Sequence, residues 1–298
     1  MTQSDNGPSF KDYLKAWPQY LLPHYLLCNG MHAFTRIRLP VLKNAFIRWF
    51  AKQYGVNLAE AVHENPADYE HFNAFFTRAL KPQARPLHQD TQVVVSPVDG
   101  TISQIGSIKE GRIIQAKGRD YSLLELIGGD THLEAEYADG LFITIYLSPK
   151  DYHRIHMPLS GRVKHMLHVP GRLFSVNAAT TRVIRRLFAR NERVVTLFSN
   201  PGVGDFFCIL VGALFVGSME TVWHGAITPP HGRFLKRWDY TNDASSRLSL
   251  NKGEEMGRFN MGSTVILLFK PGTVSWSQGL GAGRPVVMGQ KLGEMTQP

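Results

Sequence analysis

From about residue 93 onward the apolar residues come in short runs broken by glycine, proline and charge. "LFITIYLS", "GRVKHMLHV", "ERVVTLF", "DFFCILVGALFVGSM" and "STVILLF" have the length and the β-branched and aromatic content that predict strands. "QVVVSPVDGTISQIGSI" reads as a strand, a turn at Asp99-Gly100 and a second strand. One helix is expected to interrupt them, around "NAATTRVIRRLFARN". The first 88 or so residues have another texture, rich in aromatics and leucine and divided by Pro18, Pro23 and Pro40, since proline starts or ends helices. The clearest helix follows Pro40 in "VLKNAFIRWFAKQYG". There Val41, Leu42, Ala45, Phe46, Trp49 and Phe50 form an apolar stripe, Lys43, Asn44 and Arg48 lie opposite, and Gly55 is the stop signal. A second helical stretch, "YEHFNAFFTRAL", runs into the linker "KPQARPLH". The expected fold is therefore α+β: a helical region over residues 1–88, then a β-rich antiparallel core over 89–298, barrel- or sandwich-like.

Composition narrows the class. With 43% hydrophobic and 19% charged residues over 298 positions, the chain is globular rather than disordered. Its formal charge of +9 calls for an anionic partner: nucleic acid, an acidic substrate or an anionic membrane. The strand-bearing half lacks the interleaved basic and aromatic motifs of RNA-binding modules, which argues against nucleic acid. Up to residue 52, seven lysines and arginines face Asp5 and Asp12 alone, and "YLKAWPQYLLPHYLL" adds Tyr13, Trp17, Tyr20 and Tyr25. Such a segment either packs as a helical subdomain or lies in a membrane interface, with aromatic rings at headgroup level and cations on anionic lipid. Cys28 and Cys208 make neither a disulfide framework nor a zinc motif. There is no signal-peptide pattern and no apolar run of roughly 18 residues, so a cytoplasmic protein that does not span a membrane is expected.

Three polar signals stand out: Asp99 in "SPVDGT", His153 and His156 in "DYHRIHMP", and Ser263 in "MGST". Each alone has an ordinary reading. Asp-Gly makes turns, and glycine-serine before a strand is commonplace. Two histidines three apart suit a metal only on a helix, which Pro158 opposes, and no companion ligands appear. Together, a carboxylate, an imidazole and a hydroxyl are the parts of an activated nucleophile. The G-x-S-x-G elbow of a serine hydrolase is absent. The nearest carbonyl to Ser263 is that of Gly262, and a glycine tolerates the strained backbone that lets the hydroxyl approach. Attack there is an N-to-O acyl shift. β-Elimination would leave a dehydroalanine at 263, which hydrolyses to a pyruvoyl group and ammonia. A Ser-His-Asp lipid hydrolase and a non-catalytic basic protein are the rival readings.

The chain resembles the bacterial phosphatidylserine decarboxylases that mature by self-cleavage. The likeness runs from "HFNAFFTRALKPQARPL" to "GSTVILLFKPG" and takes in "SPVDGTIS", "AKGRDYSL", "YLSPKDYHRIHMP", "VPGRLFSVN", "LFARNERV", "VGSMETVW" and "MGRFNMGST". Met261 stands where that family has leucine, a volume-conserving swap. The resemblance implies that Asp99, His156 and Ser263 form the self-cleavage triad, with His156 the base and Asp99 its orienter, and that His153 serves decarboxylation. From the residues alone the two histidine roles are interchangeable. It further implies cleavage between Gly262 and Ser263 into chains 1–262 and 263–298. Ser263 would become the covalent pyruvoyl cofactor and the Schiff-base site at which phosphatidylserine loses CO2 to give phosphatidylethanolamine. No metal is implied. The two chains would stay together as a heterodimer, with further dimerisation left open, peripherally on the cytoplasmic face of the inner membrane. The basic aromatic N-terminal region then has anionic lipid as its partner.

Overall fold

Pro40 and Gly55 do bracket the longest helix. In the computed structural model, which describes residues 7–215, 218–245, 248–260 and 263–296, it spans Pro40–Tyr54 and ends on Gly55 at φ 71°, a left-handed cap that glycine adopts without strain. We call it α3. It follows α1 (Phe10–Ala16) and α2 (His24–Phe34) and precedes the short α4 (Phe72–Phe76). The buried line of α3 is not the expected stripe. Lys43, Ile47 and Phe50 face inward at i, i+4 and i+7, whereas Val41, Leu42, Ala45 and Trp49 are exposed. The helix carries more apolar residues than one face holds, and the aromatic cluster of Tyr69, Phe72, Phe75 and Phe76 takes the Ile47–Phe50 line. Lys43 goes in with it because its ammonium group finds Asn44 Oδ1 at 2.6 Å and the carbonyls of Pro66 and Ala67 at 3.3 Å.

The rest of the chain is mostly antiparallel sheet, so the fold is α+β as expected. A nine-stranded sheet runs in the order Lys236–Asp239, Gly161–Val169, Arg193–Asn200, Gly204–Val211, Thr264–Phe269, Leu141–Tyr146, Gly100–Ser107 and Pro285–Val286, with Ser249–Leu250 also on the second strand. It is an open path, not a closed barrel, among the described residues. Both faces are covered. Along the central strand, Val265, Leu267 and Phe269 point into one apolar cluster while Ile266 and Leu268 point into the other. That two-sided burial explains why the run is continuously apolar instead of alternating.

Three local expectations are corrected. The strands flanking Asp99-Gly100 do not form a hairpin. Val93–Val95 belongs to a three-stranded sheet with Lys291–Met295 and Val274–Trp276, and Gly100–Ser107 belongs to the large one. The run "DFFCILVGALFVGSM" stops as a strand at Val211, and Met219–Thr221 joins a separate four-stranded sheet with Gly225–Thr228, Glu255–Phe259 and Arg154–His156. The single helix expected near residue 180 is two, Ala178–Val183 and Leu187–Arg190, broken where Arg186 takes φ 56°. No helix among the described residues is long and apolar enough to cross a membrane.

Candidate active site

Strand register gathers Asp99 and Ser263 at one edge of the large sheet. Thr101, Tyr146, Thr264, Val211 and Arg193 lie in one cross-strand row. Asp99 comes two residues before that row and Ser263 one residue before it. Leu147, one residue beyond it on the neighbouring strand, donates its N–H to the Ser263 carbonyl at 2.7 Å. Gly100 is required for a reason the turn reading missed: a Cβ there would come within 2.4 Å of the Tyr146 carbonyl oxygen. His156 ends the strand Arg154–His156 and His153 comes just before it, in keeping with Pro158 excluding a helix. His156 N–H donates to the Pro97 carbonyl at 2.8 Å and Val95 N–H to that of Pro158 at 3.0 Å, so 95–97 and 156–158 lie side by side next to Asp99.

Ser263 is 1% exposed, and its hydroxyl has no hydrogen-bond partner. A buried hydroxyl left unpaired costs on the order of 1–3 kcal/mol, so such a group calls for a role. The Thr264 hydroxyl is in the same state. Met261 and Gly262, and with them the carbonyl side of the expected cleavage bond, lie outside the described residues.

His156 is oriented by backbone. Its Nδ1 is 2.8 Å from the Gly253 carbonyl, which can only accept, so Nδ1 carries the proton and the neutral ring keeps its lone pair on Nε2. That lone pair accepts from the Tyr152 hydroxyl at 3.0 Å. Burial lowers the pKa of His156 and keeps the ring in its basic form. Asp99 acts on it only through space, its negative charge opposing the shift. The Asp99 carboxylate itself is gripped by Arg85, whose Nε donates to its two oxygens at 2.8 and 2.9 Å, and by the Met288 N–H at 2.8 Å. In this structure, then, Asp99, His156 and Ser263 share a region but are not linked by a hydrogen-bonded chain through Asp99.

His153 is 1% exposed, with Nδ1 donating to the Asp151 carbonyl at 2.8 Å and its ring centroid 4.0 Å from that of Phe76. Burial, reinforced by the positive charge of Arg78, pushes its pKa down to about 3, so it too is neutral at ordinary pH. Asp151 steadies this turn by accepting from the Ser148 N–H and hydroxyl, each at 2.7 Å.

Sequence reasoning missed four participants. Tyr152 adjoins His153, and Gly253 supplies the carbonyl that fixes the tautomer of His156. Arg85 sits in a segment that reads as a linker yet also pairs with Glu60 at 2.9 Å. Arg78 ends the aromatic run "FNAFFTR". Nothing local marks any of them; only the fold brings them together. Among the described residues no three metal-ligating side chains gather into a cluster.

Comparison with known proteins places the chain among the carboxy-lyases. A family described as phosphatidylserine decarboxylase matches residues 72–294, and a second, described as PSD, matches residues 14–55. The chain belongs to the phosphatidylserine decarboxylase family. It is 52% identical over 284 residues to the phosphatidylserine decarboxylase proenzyme of Stutzerimonas stutzeri, covering 95% of both chains. To the proenzyme of that name from Pseudomonas fluorescens it is 55% identical over 275 residues, covering 92% of this chain and 95% of that one. The corresponding figures for the Methylococcus capsulatus proenzyme are 52% over 275 residues, 92% and 94%. Membership of this enzyme class displaces the hydrolase and non-catalytic readings.

Proposed function

We propose that the chain decarboxylates phosphatidylserine to phosphatidylethanolamine after cutting itself between Gly262 and Ser263. The observation that carries this reading is the buried, unpartnered hydroxyl of Ser263, one residue before the strand row that Asp99 also precedes, with His156 beside Asp99 on the neighbouring four-stranded sheet. Thr264 shares the free hydroxyl, but only Ser263 is preceded by glycine. The word "proenzyme" in the names of the relatives points the same way.

Ser263 Oγ adds to the Gly262 carbonyl carbon and its proton passes to Nε2 of His156, which must first let go of the Tyr152 hydroxyl. The C–N bond breaks, the proton goes to the leaving nitrogen, and an ester remains. Loss of the residue-263 Cα proton expels the Gly262 carboxylate and leaves a dehydroalanine. Water then converts this to a pyruvoyl group and ammonia. The backbone cut falls just before Thr264–Phe269, a strand paired on both sides, so the shorter chain stays in the sheet after cleavage. Asp99 keeps negative charge near the imidazolium that forms, and Arg85 fixes where that charge sits.

The pyruvoyl group supplies the electrophilic carbonyl that the substrate amine engages and the sink for electrons left when CO2 departs. His153 is our candidate for returning a proton to the substrate's α-carbon. For this its Nε2 must first collect one, and the substrate's ammonium group is the source. A positioned acid of this kind contributes roughly 10²- to 10⁴-fold.

The substrate is membrane lipid, and the exposed apolar surface supports docking of residues 1–88 on an anionic bilayer at the cytoplasmic face of the inner membrane. Leu21 is 90% exposed and Val41 86%, with Phe10, Trp17 and Leu26 also outward. Phe234, 83% exposed, sits among the exposed Arg233, Lys236 and Arg237, and its loop meets α2 where His231 stacks on Tyr25 at 4.6 Å. Each such cation near anionic lipid contributes about 1 kcal/mol. The testing experiment expresses wild type and Ser263→Ala and follows cleavage on a denaturing gel together with CO2 release from phosphatidylserine. Wild type should cut and turn over, while Ser263→Ala should do neither. Cleavage in the variant would defeat the reading.

A further inference from the structure

Arg78 is 5% exposed, yet two of its three guanidinium nitrogens, Nε and Nη1, have no hydrogen-bond partner. Its remaining nitrogen, Nη2, donates to the Lys150 carbonyl at 3.1 Å, and the guanidinium carbon lies 5.6 Å from the centre of the Phe75 ring. The nearby carboxylates are taken: Arg85 holds both Asp99 and Glu60. Asp99 and Glu60 oppose its charge only through space, and a buried cation with no anion in direct contact is costly, so the two unpaired nitrogens call for an anion that the folded chain itself does not bond to them. Burial accordingly lowers its pKa, though an arginine stays charged at any ordinary pH.

The surroundings say where that anion would lie. Lys150, which anchors Nη2, belongs to the 147–153 loop. Leu147 of that loop holds the Ser263 carbonyl, and Asp151 holds His153. Phe76, two residues before Arg78, packs on the His153 ring, and the charge of Arg78 is felt by His153. The free guanidinium edge thus belongs to the same small region as the nucleophile and the candidate proton donor.

We propose that Arg78 binds the phosphodiester of the phosphatidylserine headgroup and so holds the serine end of the substrate against residue 263 and His153. The inference rests on the function proposed above. The substrate offers two anions, and the chemistry chooses between them. An arginine on the carboxylate would stabilise a charge that must vanish as CO2 leaves, lowering the ground state more than the transition state. The phosphodiester keeps its charge throughout, and its two free oxygens match the two unpaired nitrogens of the guanidinium fork.

The test uses full-length protein, soluble dihexanoyl phosphatidylserine as substrate and glycerophosphoethanolamine, which has the phosphodiester but no carboxylate, as inhibitor. Arg78→Met should still cut itself, with KM raised about 10- to 100-fold, as expected for losing hydrogen bonds to a charged group, and kcat changed little. Inhibition by glycerophosphoethanolamine should weaken in parallel. Arg78→Lys, which keeps the charge but loses the fork, should fall between. Unchanged KM, a fall in kcat at constant KM, retained inhibition, or failure of both variants to cut would each overturn the proposal. Wild type that cuts but releases no CO2 would instead overturn the reading beneath it.

Discussion

Helices α1–α3 and the large sheet follow opposite rules of burial. In the sheet, Val265 to Phe269 are buried on both faces. Along these helices and the short connection between α1 and α2, Phe10, Leu14, Trp17, Leu21, Leu26 and Val41 are exposed while Asp12, Gln19, His24 and Lys43 are buried. The inward polar groups are matched: Asp12 pairs with Arg182 at 2.9 Å, Gln19 bonds Ser175 at 2.9 Å, and His24 Nδ1 accepts from the Leu173 N–H at 3.0 Å. Hydrogen bonds help fasten these helices, beside the buried Ala16, Cys28, Ile47 and Phe50, while most of their other large apolar side chains turn outward. An outward row of large apolar side chains is what a protein that meets a bilayer interface would carry. The comparison fits the docking proposed above: apolar side chains turned outward in the N-terminal region, and the candidate chemistry where Asp99 and Ser263 meet at the end of the large sheet.

The sharpest way to break this division of labour is to disable the candidate site alone. His156→Ala should slow self-cleavage by roughly 10²- to 10⁴-fold, the usual loss with a general base, while its binding to anionic vesicles stays at the wild-type level. Cleavage at the normal rate, followed by mass over time, would remove His156 from that role.

Next in size are paired truncations. Leu267→Ala in the central strand should cost about 2–5 kcal/mol of stability in a denaturant titration. Leu21→Ala should cost close to none in the same titration, because no burial is lost. Equal losses would mean that α1–α3 and the sheet bury apolar surface alike.

Smaller again is a pH effect. Unfolded His153 titrates near 6.5, but folded it resists protonation down to about 3. The depressed pKa means that protons favour the unfolded chain. Its contribution is therefore fully present above pH 6.5 and is lost as the pH falls from there toward about 3. His153→Gln should flatten that part of the stability profile, and an unaltered slope would count against the buried neutral ring. The smallest effect concerns the outer face. Val41→Asp should weaken sedimentation with phosphatidylglycerol-containing vesicles about tenfold and leave turnover of short-chain soluble substrate intact. Loss of both together would point to damage in the fold rather than at the membrane.

The elements with local punctuation were legible in the sequence: α3 from Pro40 and Gly55, the non-helical "HRIH" from Pro158, the buried strand from its unbroken apolar run. The inward face of α3 was not, because apolar residues cover more than half its circumference and only the aromatic cluster of residues 69–76 decides which of them go in. The Asp99-Gly100 turn was misread for a similar reason. The glycine answers to the Tyr146 carbonyl on a strand more than forty residues away, which no short-range pattern encodes. Ser263, His153 and His156 stood out because nucleophile and base chemistry has recognisable parts. Arg78, Arg85 and Tyr152 escaped because an arginine or a tyrosine acquires its meaning from what the fold leaves unpaired around it.

The central claim is that one peptide bond is given up so that a serine can become a reactive carbonyl. Intact-mass measurement of the purified, active protein addresses it most directly. The account predicts two polypeptides, 1–262 and 263–298, the shorter lacking a free amino terminus and gaining mass on treatment with hydroxylamine. A single unbroken chain of 298 residues with full decarboxylase activity and no trappable carbonyl would contradict it.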